Sequence, residues 1–362
     1  MISYTGKTCA ELGIETESLT SLEHLRFYDV REVEEFRIYG LYEPRTLNPF
    51  RRLPADIAEA TSERVAGLVW NTAGGRLRFV TDSSYIAVRT TNKSHTGSQY
   101  TGTVGTCGFD LYIRNADGRD TYRGTFVPPV RYENGFDAAV RGLGNGMKEV
   151  TIHFPTYHRV SDLYIGLDET ATLSRRGDYK YEKPVLFYGS SITQGGCASR
   201  PGMAYEAIIA RKLDCNYINL GFAGACRAED VMIDYLATLD PSVFVIDYDH
   251  NAPTAEHLAA THEKLYLAFR AAHPETPVII VTRPDSWAWR TDTEARTAVI
   301  RATYEHALAR GEDVTFIDGR TLFAGELYED CTVDGCHPSD LGMTRMAAVI
   351  GKAVEAALAL AE

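Results

Sequence analysis

The sequence has little of what marks disulfide-rich, nucleic-acid-binding or membrane-spanning proteins. Its seven cysteines are an odd number, lie far apart and form no Cys-x-x-Cys pair, which favours reduced thiols over a disulfide framework or a zinc site. Only 37 lysines and arginines oppose 49 aspartates and glutamates, so the formal net charge is -12. A charge of this sign argues against nucleic acid or an anionic membrane as a partner.

Long hydrophobic runs are also lacking. No apolar stretch approaches the roughly 20 residues that a membrane-spanning helix requires. Residues 1–20 hold three acidic side chains, one basic side chain and no hydrophobic core, so we expect no signal peptide and a cytoplasmic protein. What is present is the composition of a globular protein, and 362 residues are too many for one ordinary core. We therefore predict two domains.

Residues 1–175 are predicted to form an antiparallel β-sandwich of the jelly-roll type. Short segments that alternate polar and apolar residues between turns are typical of this architecture rather than of β-α-β units. Residues 76–80 and 85–89 flank a turn at residues 82–84, and we expect these two strands to pair with each other. Further strands are expected near residues 108–113, 122–127, 149–154 and 162–167.

The pattern changes after residues 168–183, a polar and aperiodic stretch that we interpret as a linker. Apolar runs then alternate with amphipathic stretches, which predicts parallel strands joined by helices. Residues 184–362 are therefore expected to form a doubly wound, flavodoxin-like α/β domain. Its five strands are expected near residues 185–188, 216–220, 243–248, 277–282 and 314–317.

Residues of the types that acyl transfer requires follow several of these strands. They are Ser191 after the first strand, Gly224 after the second, Asn251 after the third, and Asp334 and His337 near the C-terminus. A serine hydroxyl becomes a nucleophile when an imidazole takes its proton, and a carboxylate three residues before the imidazole can orient that ring. Backbone N–H groups and a side-chain amide can stabilise the oxyanion that forms.

Each of these residues also has a simpler explanation. Ser190 or Ser191 could be only the N-cap of the next helix, and the remaining residues could be an ordinary loop glycine, a turn asparagine and exposed charged side chains. Ligands of open α/β sheets bind at the carboxyl ends of the strands, where several of these residues are expected to lie. Their occurrence together favours the catalytic interpretation.

The motifs that contain these residues resemble the four sequence blocks of the SGNH, or GDSL-type, esterase superfamily. The resemblance covers about residues 184–360 and is carried by Tyr188–Gly195, Gly224, Asn251 and Thr332–Pro338. It implies an α/β/α fold, a covalent acyl-serine intermediate, and no metal or other cofactor.

The resemblance extends to the other half of the chain. Residues 27–167, with the motif Gly108–Tyr112, are similar to the β-sandwich that precedes the catalytic domain in two-domain carbohydrate acetyl esterases. Acetylated sugars are common substrates in this branch. The resemblance implies that Ser191 is the nucleophile, that His337 and Asp334 complete its triad, and that the oxyanion hole comprises Ser191, Gly224 and Asn251.

Two motifs depart from the family pattern. The usual Gly-Asp-Ser is Gly189-Ser190-Ser191 here, so Ser190 is a rival for the role of nucleophile, although its position in the motif favours Ser191. The usual Gly-x-Asn-Asp is replaced by Asp249-His250-Asn251-Ala252, which keeps the amide but not the glycine before it or the acid after it.

Four further residues are candidates for substrate binding: Arg200, His250, Trp287 and Trp289. Arg200 follows the nucleophile motif and could orient a substrate or be a solvated loop residue. His250 lies beside Asn251 and could touch the substrate. The two tryptophans could stack on sugar rings, and packing in a core or an interface is an equal alternative.

We expect a serine esterase that removes short acyl groups, acetyl in particular, from a small-molecule or oligosaccharide substrate. Two other functions fit the same sequence. An acyltransferase would pass the acyl group from serine to an alcohol instead of water. A non-catalytic carbohydrate-binding protein would depend on the β-sandwich alone, and the complete set of catalytic residue types argues against it.

Overall fold

The computed structural model describes residues 2–92, 100–284 and 291–360. The chain divides into two compact units. The first contains the chain up to Arg52, Trp70–Asp178 and Ser199–Gly202. The second contains Leu53–Val69, Tyr179–Ala198 and the chain from Met203 onward. Residues 53–69 precede the linker region in the sequence but belong to the second unit. Residues 199–202 follow the linker region but belong to the first unit.

The first unit contains two antiparallel sheets. Its strands are β1 (Leu25–Asp29), β2 (Arg37–Tyr39), β3 (Arg76–Thr81), β4 (Tyr85–Thr91), β5 (Phe109–Arg114), β6 (Asp120–Phe126), β7 (Phe136–Arg141), β8 (Lys148–His153), β9 (Asp162–Asp168) and β10 (Leu173–Ser174). One sheet has the order β1-β9-β4-β7, and the other has the order β10-β3-β8-β5-β6 with β2 beside β3. These pairings are all antiparallel.

The two sheets share one apolar core, which makes this unit a β-sandwich. Phe79 of β3 and Leu111 of β5 lie in one sheet, while Ile86 of β4 and Ile165 of β9 lie in the other, and all four are fully buried in the same cluster. Alternate residues of each strand point to the same face, so the inward-facing residues of both sheets meet between them. The predicted sandwich is confirmed.

The predicted pairing of the strands on either side of residues 82–84 is wrong. β3 pairs with β8, whereas β4 pairs with β9 and β7, so β3 and β4 belong to different sheets. The turn between them passes from one sheet to the other. There the Ser83 hydroxyl accepts the Asp168 N–H at 3.2 Å and donates to the Tyr85 carbonyl at 2.6 Å, which ties the turn to the sheet of β4 and β9. Alternation of polar and apolar residues indicates a strand but not its partner.

The second unit is built on a parallel sheet. Its strands are β11 (Tyr181–Gly189), β12 (Cys215–Gly221), β13 (Val243–Asp247), β14 (Val278–Val281) and β15 (Val314–Ile317). The order across the sheet is β12-β11-β13-β14-β15, and all pairings are parallel. With β11 counted first, this is the strand order of flavodoxin-like, doubly wound sheets. The predicted fold class and the five predicted strands are confirmed.

Amphipathic helices join the strands and cover the sheet. The helices of the described residues are α1 (Glu17–Thr20), α2 (Ala55–Thr61), α3 (Glu63–Leu68), α4 (Thr103–Cys107), α5 (Tyr205–Leu213), α6 (Asp230–Thr238), α7 (Ala255–Ala272), α8 (Thr293–Ala309) and α9 (Asp340–Leu360). Leu258, Leu265 and Phe269 form a buried stripe on α7, as their helical spacing predicts. In the described part of the chain, none of the helices combines the length and apolar character needed to cross a membrane.

The carboxyl ends of three strands of the parallel sheet lie side by side. Gly189, the last residue of β11, is paired with Gly221 of β12 on one side and with Asp247 of β13 on the other. The chain leaves β11 toward β12 and crosses back to β13, so the strand order reverses at β11. Ligands of open α/β sheets bind in the crevice that such a reversal creates.

Candidate active site

The end of β11 delivers two adjacent serines into different surroundings. Ser190 is completely buried, and its Oγ accepts the backbone N–H of Ile192 at 3.2 Å. Ser191 is only half-buried, and its Oγ lies 2.8 Å from Nε2 of His337. The structure therefore brings Ser191, and not Ser190, to the imidazole.

Close packing at the end of β11 leaves no room for a side chain on Gly189, which precedes the two serines. A Cβ at this position would overlap the Thr193 side chain and lie 2.6 Å from the Asp247 carbonyl oxygen. Any larger residue would therefore separate the nucleophile turn from β13. The glycine of the motif is required by close packing at the strand end.

His337 and Asp334 continue the hydrogen-bonded arrangement that was predicted as a catalytic triad with Ser191. His337 Nδ1 lies 2.7 Å from Asp334 Oδ2, and Asp334 Oδ1 accepts the backbone N–H groups of His337 and Cys336 at 2.7 and 2.9 Å. The Val333 N–H donates to the His337 carbonyl at 2.9 Å, which closes the loop around these residues.

The hydrogen bonds of the triad set the roles of its atoms. Burial opposes ionisation of Asp334, but the hydrogen bonds from His337 and Cys336 outweigh it and hold the pKa of this carboxyl below its ordinary value. An ionised Asp334 accepts a hydrogen bond from the Nδ1–H group of His337, which leaves Nε2 as the nitrogen that can take the proton of Ser191. This arrangement can activate a serine hydroxyl for attack on an ester.

The loop that follows β12 lies against the nucleophile turn. The Phe222 N–H donates to the Gly189 carbonyl at 2.9 Å, and the Ala223 N–H donates to Gln194 Oε1 at 3.0 Å. Gly224 comes next, with φ of 67°, a left-handed conformation that favours glycine. The structure thus places the predicted donor Gly224 in a loop that is tied to the turn carrying Ser191.

The short 3-10 helix Asp249–Asn251 after β13 positions the side-chain amide of Asn251. Asn251 Oδ1 accepts the Cys226 N–H at 3.3 Å. Because the oxygen is engaged in this way, the Nδ2 group is left to donate to an oxyanion. The loops after β11, β12 and β13 thus bring the predicted nucleophile Ser191, a glycine and an amide to one edge of the sheet.

Comparison with known families identifies both parts of the chain. Residues 182–355 match the GDSL-like lipase/acylhydrolase family, and residues 25–173 match the N-terminal domain of SGNH-hydrolase-type esterases. The chain belongs to the SGNH, or GDSL-type, hydrolases. It is a carboxylic ester hydrolase, so the alternative of a protein that only binds carbohydrate is not supported.

Solved structures share the whole architecture of this SGNH hydrolase. A GDSL-like lipase-type protein of Bacteroides ovatus is 26% identical with a TM-score of 0.82, and the match covers 92% of this chain and 98% of that one. A salicylyl-acyltransferase from a tetracycline biosynthetic pathway is 19% identical with a TM-score of 0.75, covering 93% and 98%. An acetyl xylan esterase from the rumen bacterium Butyrivibrio proteoclasticus is 13% identical with a TM-score of 0.61, covering 92% and 99%. Among curated proteins no sequence matches this chain.

A buried ion-pair network that the sequence did not reveal supports the Asn251 loop of the SGNH hydrolase. Arg296 of α8 donates to the carbonyls of Asp249 and Ala252 at 2.9 and 3.0 Å, and it pairs with the Asp249 carboxylate at 3.2 Å. The other carboxylate oxygen of Asp249 accepts the Arg283 N–H at 3.0 Å. An arginine in the first turn of a helix carries no sequence signal for such a role.

A second buried network lies behind the nucleophile turn. Asp247 Oδ2 accepts hydrogen bonds from the hydroxyls of Thr193 and Tyr205 at 3.2 and 3.1 Å. Burial raises the pKa of Asp247 to about 7, although these two hydrogen bonds act in the opposite direction. The neighbouring carboxyl of Glu206 is also fully buried, and burial followed by the charge of Asp247 raises its pKa well above the ordinary value.

The four residues predicted to bind substrate have different positions. His250 Nδ1 lies 3.8 Å from the Cys336 sulfur, next to the triad loop. Arg200 belongs to the first unit, where it pairs with the buried Asp110 at 2.9 Å and lies over the ring of Tyr122. Trp287 and Trp289 fall outside the described residues. In the ranges that the structure describes, no group of three His, Cys, Asp or Glu side chains is placed to hold a metal ion.

The Gly108–Tyr112 motif of the N-terminal domain accounts for the position of Arg200. Besides pairing with Arg200, Asp110 Oδ2 accepts the Gly202 N–H at 2.9 Å, and the Tyr112 hydroxyl donates to the Gly202 carbonyl at 3.5 Å. The aspartate and tyrosine of the motif therefore hold the segment Ser199–Gly202, which follows the nucleophile motif in the sequence.

Proposed function

We propose that this SGNH hydrolase removes short acyl groups, acetyl in particular, from a carbohydrate, with Ser191 as the nucleophile. The observation that carries the proposal is the continuous hydrogen-bonded chain from Ser191 through His337 to Asp334, with distances of 2.8 and 2.7 Å. Such a chain is what a serine needs to attack an ester near neutral pH.

In the proposed reaction, Ser191 Oγ attacks the ester carbonyl while His337 Nε2 takes the hydroxyl proton. The carbonyl oxygen becomes an oxyanion that accepts hydrogen bonds from the N–H groups of Ser191 and Gly224 and from Asn251 Nδ2. The tetrahedral intermediate collapses, and the departing alcohol receives its proton from His337. Water then attacks the acyl-serine with the same base, which releases the acid and restores the serine.

The preference for a short acyl group is supported by the side chains near the proposed triad and the loop that carries Gly224. Asn251, His337 and two exposed arginines, Arg64 and Arg227, offer a long acyl chain little apolar surface. A matching apolar pocket would contribute up to roughly 0.8 kcal/mol for each methylene it buries. A carbohydrate as the alcohol is supported by the likeness of the fold to that of an acetyl xylan esterase.

The test is a series of 4-nitrophenyl esters from acetyl to octanoyl, together with one acetylated xylo-oligosaccharide. We expect kcat/KM to be highest for acetyl and to decline from butyryl onward. We also expect the acetylated oligosaccharide to be preferred over the simple ester, because remote sugar contacts help to position the carbonyl. A steady rise of kcat/KM through octanoyl would contradict the proposal and indicate a lipid esterase.

Acyl transfer to an alcohol is a second candidate function. The fold similarity to a salicylyl-acyltransferase supports it, because the TM-score of 0.75 is higher than the 0.61 found for the acetyl xylan esterase. The same acyl-serine serves both reactions, and only the second acceptor differs. Mass spectrometry of products formed with an acetyl ester and added glycerol or xylose would separate them, because a transferase yields mainly the new ester and a hydrolase yields mainly acetate.

A further inference from the structure

Two arginines flank the loop that carries Gly224. Arg64 comes from the short helix α3, and its Nε donates to the Ala223 carbonyl at 2.9 Å. A Cβ placed on Gly224 would have three guanidinium atoms of Arg64 as its nearest neighbours, at 3.0, 3.3 and 3.5 Å. The guanidinium of Arg64 therefore lies directly against the backbone of a proposed oxyanion donor.

Arg227 approaches the same loop from the C-terminal side. Its Nη2 donates to the Gly224 carbonyl at 3.5 Å, and its own carbonyl oxygen is bound by His257 Nε2 at 2.8 Å. Burial raises the pKa of the nearby Glu229 carboxyl, and the charge of Arg227 acts in the opposite direction. The two side chains form no ion pair. Both Arg64 and Arg227 are exposed.

The charges of these arginines are not neutralised within the described part of the protein, where neither forms an ion pair with a carboxylate. Some arginines of the second unit do bind carboxylates: Arg296 binds Asp249 and Asp292, and Arg310 binds Glu263 and Glu312. Acidic residues outnumber basic ones in the chain, which has a formal net charge of -12. In the described part of the protein, two exposed guanidinium groups without a carboxylate partner therefore lie beside the oxyanion loop.

We infer that Arg64, assisted by Arg227, binds a carboxylate on the substrate close to the ester that Ser191 cleaves. This inference rests on the proposed function and narrows its substrate to acid-bearing esters. Arg64 uses Nε to hold the Ala223 carbonyl, and among the residues that the structure describes its two terminal nitrogens bind no other group. A planar guanidinium presents such N–H groups in a fork that fits a carboxylate. The carboxylate can belong to the alcohol, as in an acetylated uronic acid, or to the acyl group, as in a dicarboxylic acid half-ester.

Matched acid and amide substrates test the inference and distinguish these two sources. The alcohol pair is a mono-O-acetylated methyl glucuronide and the corresponding uronamide. The acyl pair is the 4-nitrophenyl half-ester of succinic acid and the 4-nitrophenyl ester of succinamic acid. The quantity to measure is the ratio of kcat/KM for the acid to kcat/KM for the amide. This ratio cancels any general effect of a substitution on catalysis.

For the wild-type enzyme we expect the ratio to be about 10 or more in one of the two pairs, the size typical of a charge-assisted hydrogen bond. It should fall as salt is added, because the arginines are exposed. Arg64→Gln should bring the ratio close to one, Arg227→Gln should lower it less, and Arg64→Lys should keep part of it. Lys352→Gln is the control for net charge, since Lys352 is an exposed residue about 18 Å along α9 from its start and should leave the ratio unchanged.

The outcomes separate failure of this inference from failure of the proposed function. Turnover of acid and amide at equal rates by the wild type in both pairs would overturn the inference and leave the esterase in place. The inference would also be overturned if Arg64→Gln lowered kcat/KM for acid and amide equally, because Arg64 would then only support the loop. Absence of turnover of all four esters would overturn the proposed function, and this inference with it.

Discussion

At the scale of single residues, the adjacent serines 190 and 191 have opposite environments that predict opposite effects of mutation. We expect Ser191→Ala to lower kcat by about 10⁴-fold or more, because it removes the proposed nucleophile. We expect Ser190→Ala to keep kcat within a few-fold while lowering the free energy of unfolding by about 1 kcal/mol, because its buried Oγ caps the Ile192 N–H. The check is kcat and urea unfolding for both variants. Reversed effects on kcat would assign the nucleophile to Ser190.

A second prediction concerns Asn251 as a hydrogen-bond donor to the oxyanion. Its Oδ1 is engaged by Cys226, so the role left to the side chain is donation through Nδ2. We expect Asn251→Ala to lower kcat by about 10²-fold or more with little change in KM, on the scale of a lost oxyanion donor. Asn251→Asp keeps the shape and the bond to the Cys226 N–H but has no donor, so it should be at least as damaging. Wild-type kcat in both variants would show that Asn251 only shapes its loop.

The site residues differ in how far the sequence could predict them. Ser191, Gly224, Asn251, Asp334 and His337 were predicted because each follows a strand or lies in a recognisable motif, and the structure places them in the loops expected. Arg64 was missed because it lies 159 positions before Ala223 and outside any motif. Only folding brings α3 to the oxyanion loop, and nothing in the local sequence of an exposed arginine reports that contact.

At the scale of secondary-structure elements, prediction was most accurate in the parallel sheet. Runs such as Val185–Tyr188 are apolar on both faces because helices cover both sides of the sheet, and this makes them easy to recognise. In the β-sandwich six of the ten strands are predicted, but β3 and β4 are paired wrongly. The sequence analysis misses β2 and β10, whose two or three residues carry too little pattern, and it also misses the longer strands β1 and β7.

Asp247, the last residue of β13, supports a prediction about how the stability of the protein depends on pH. The folded protein raises the pKa of this carboxyl from 3.8 to about 7, so the folded state binds its proton more tightly than the unfolded state. The stability contributed by the protonated group is therefore present below about pH 4 and is lost as the pH rises to about 7. The slope is up to about 1.4 kcal/mol per pH unit for one group.

Asp247→Asn should flatten this dependence, because an amide can still accept from Thr193 and Tyr205 but does not ionise. The measurement is urea unfolding of wild type and variant between pH 5 and pH 8. We expect the variant to gain stability relative to the wild type as the pH increases. Asp234→Asn, at an exposed position on α6, is the control and should change the curve little. Parallel curves for wild type and Asp247→Asn would show that Asp247 ionises normally in the folded protein.

At the scale of the whole molecule, the two units are not two consecutive stretches of the chain. A single boundary in the linker region is the simplest inference from a change in sequence pattern. The structure instead assigns Leu53–Val69 to the second unit, where α2 contacts α6 and Arg64 binds the Ala223 carbonyl. It also assigns Ser199–Gly202 to the first unit, where Asp110 and Tyr112 hold it. Neither exchange changes local hydrophobic periodicity, so neither could be predicted from it.

The exchange of segments predicts that the second unit cannot be isolated by cutting the chain in the linker region. A chain beginning at Lys183 lacks α2 and α3, so it loses the helix that contacts α6 and the arginine that ties down the oxyanion loop. It also leaves Ser199–Gly202 without the carboxylate of Asp110, and unpaired charges and exposed apolar surface favour aggregation. We expect this truncated chain to be insoluble or to have a much lower kcat than the full chain. A soluble, fully active chain from Lys183 onward would show that neither segment is needed to hold the site.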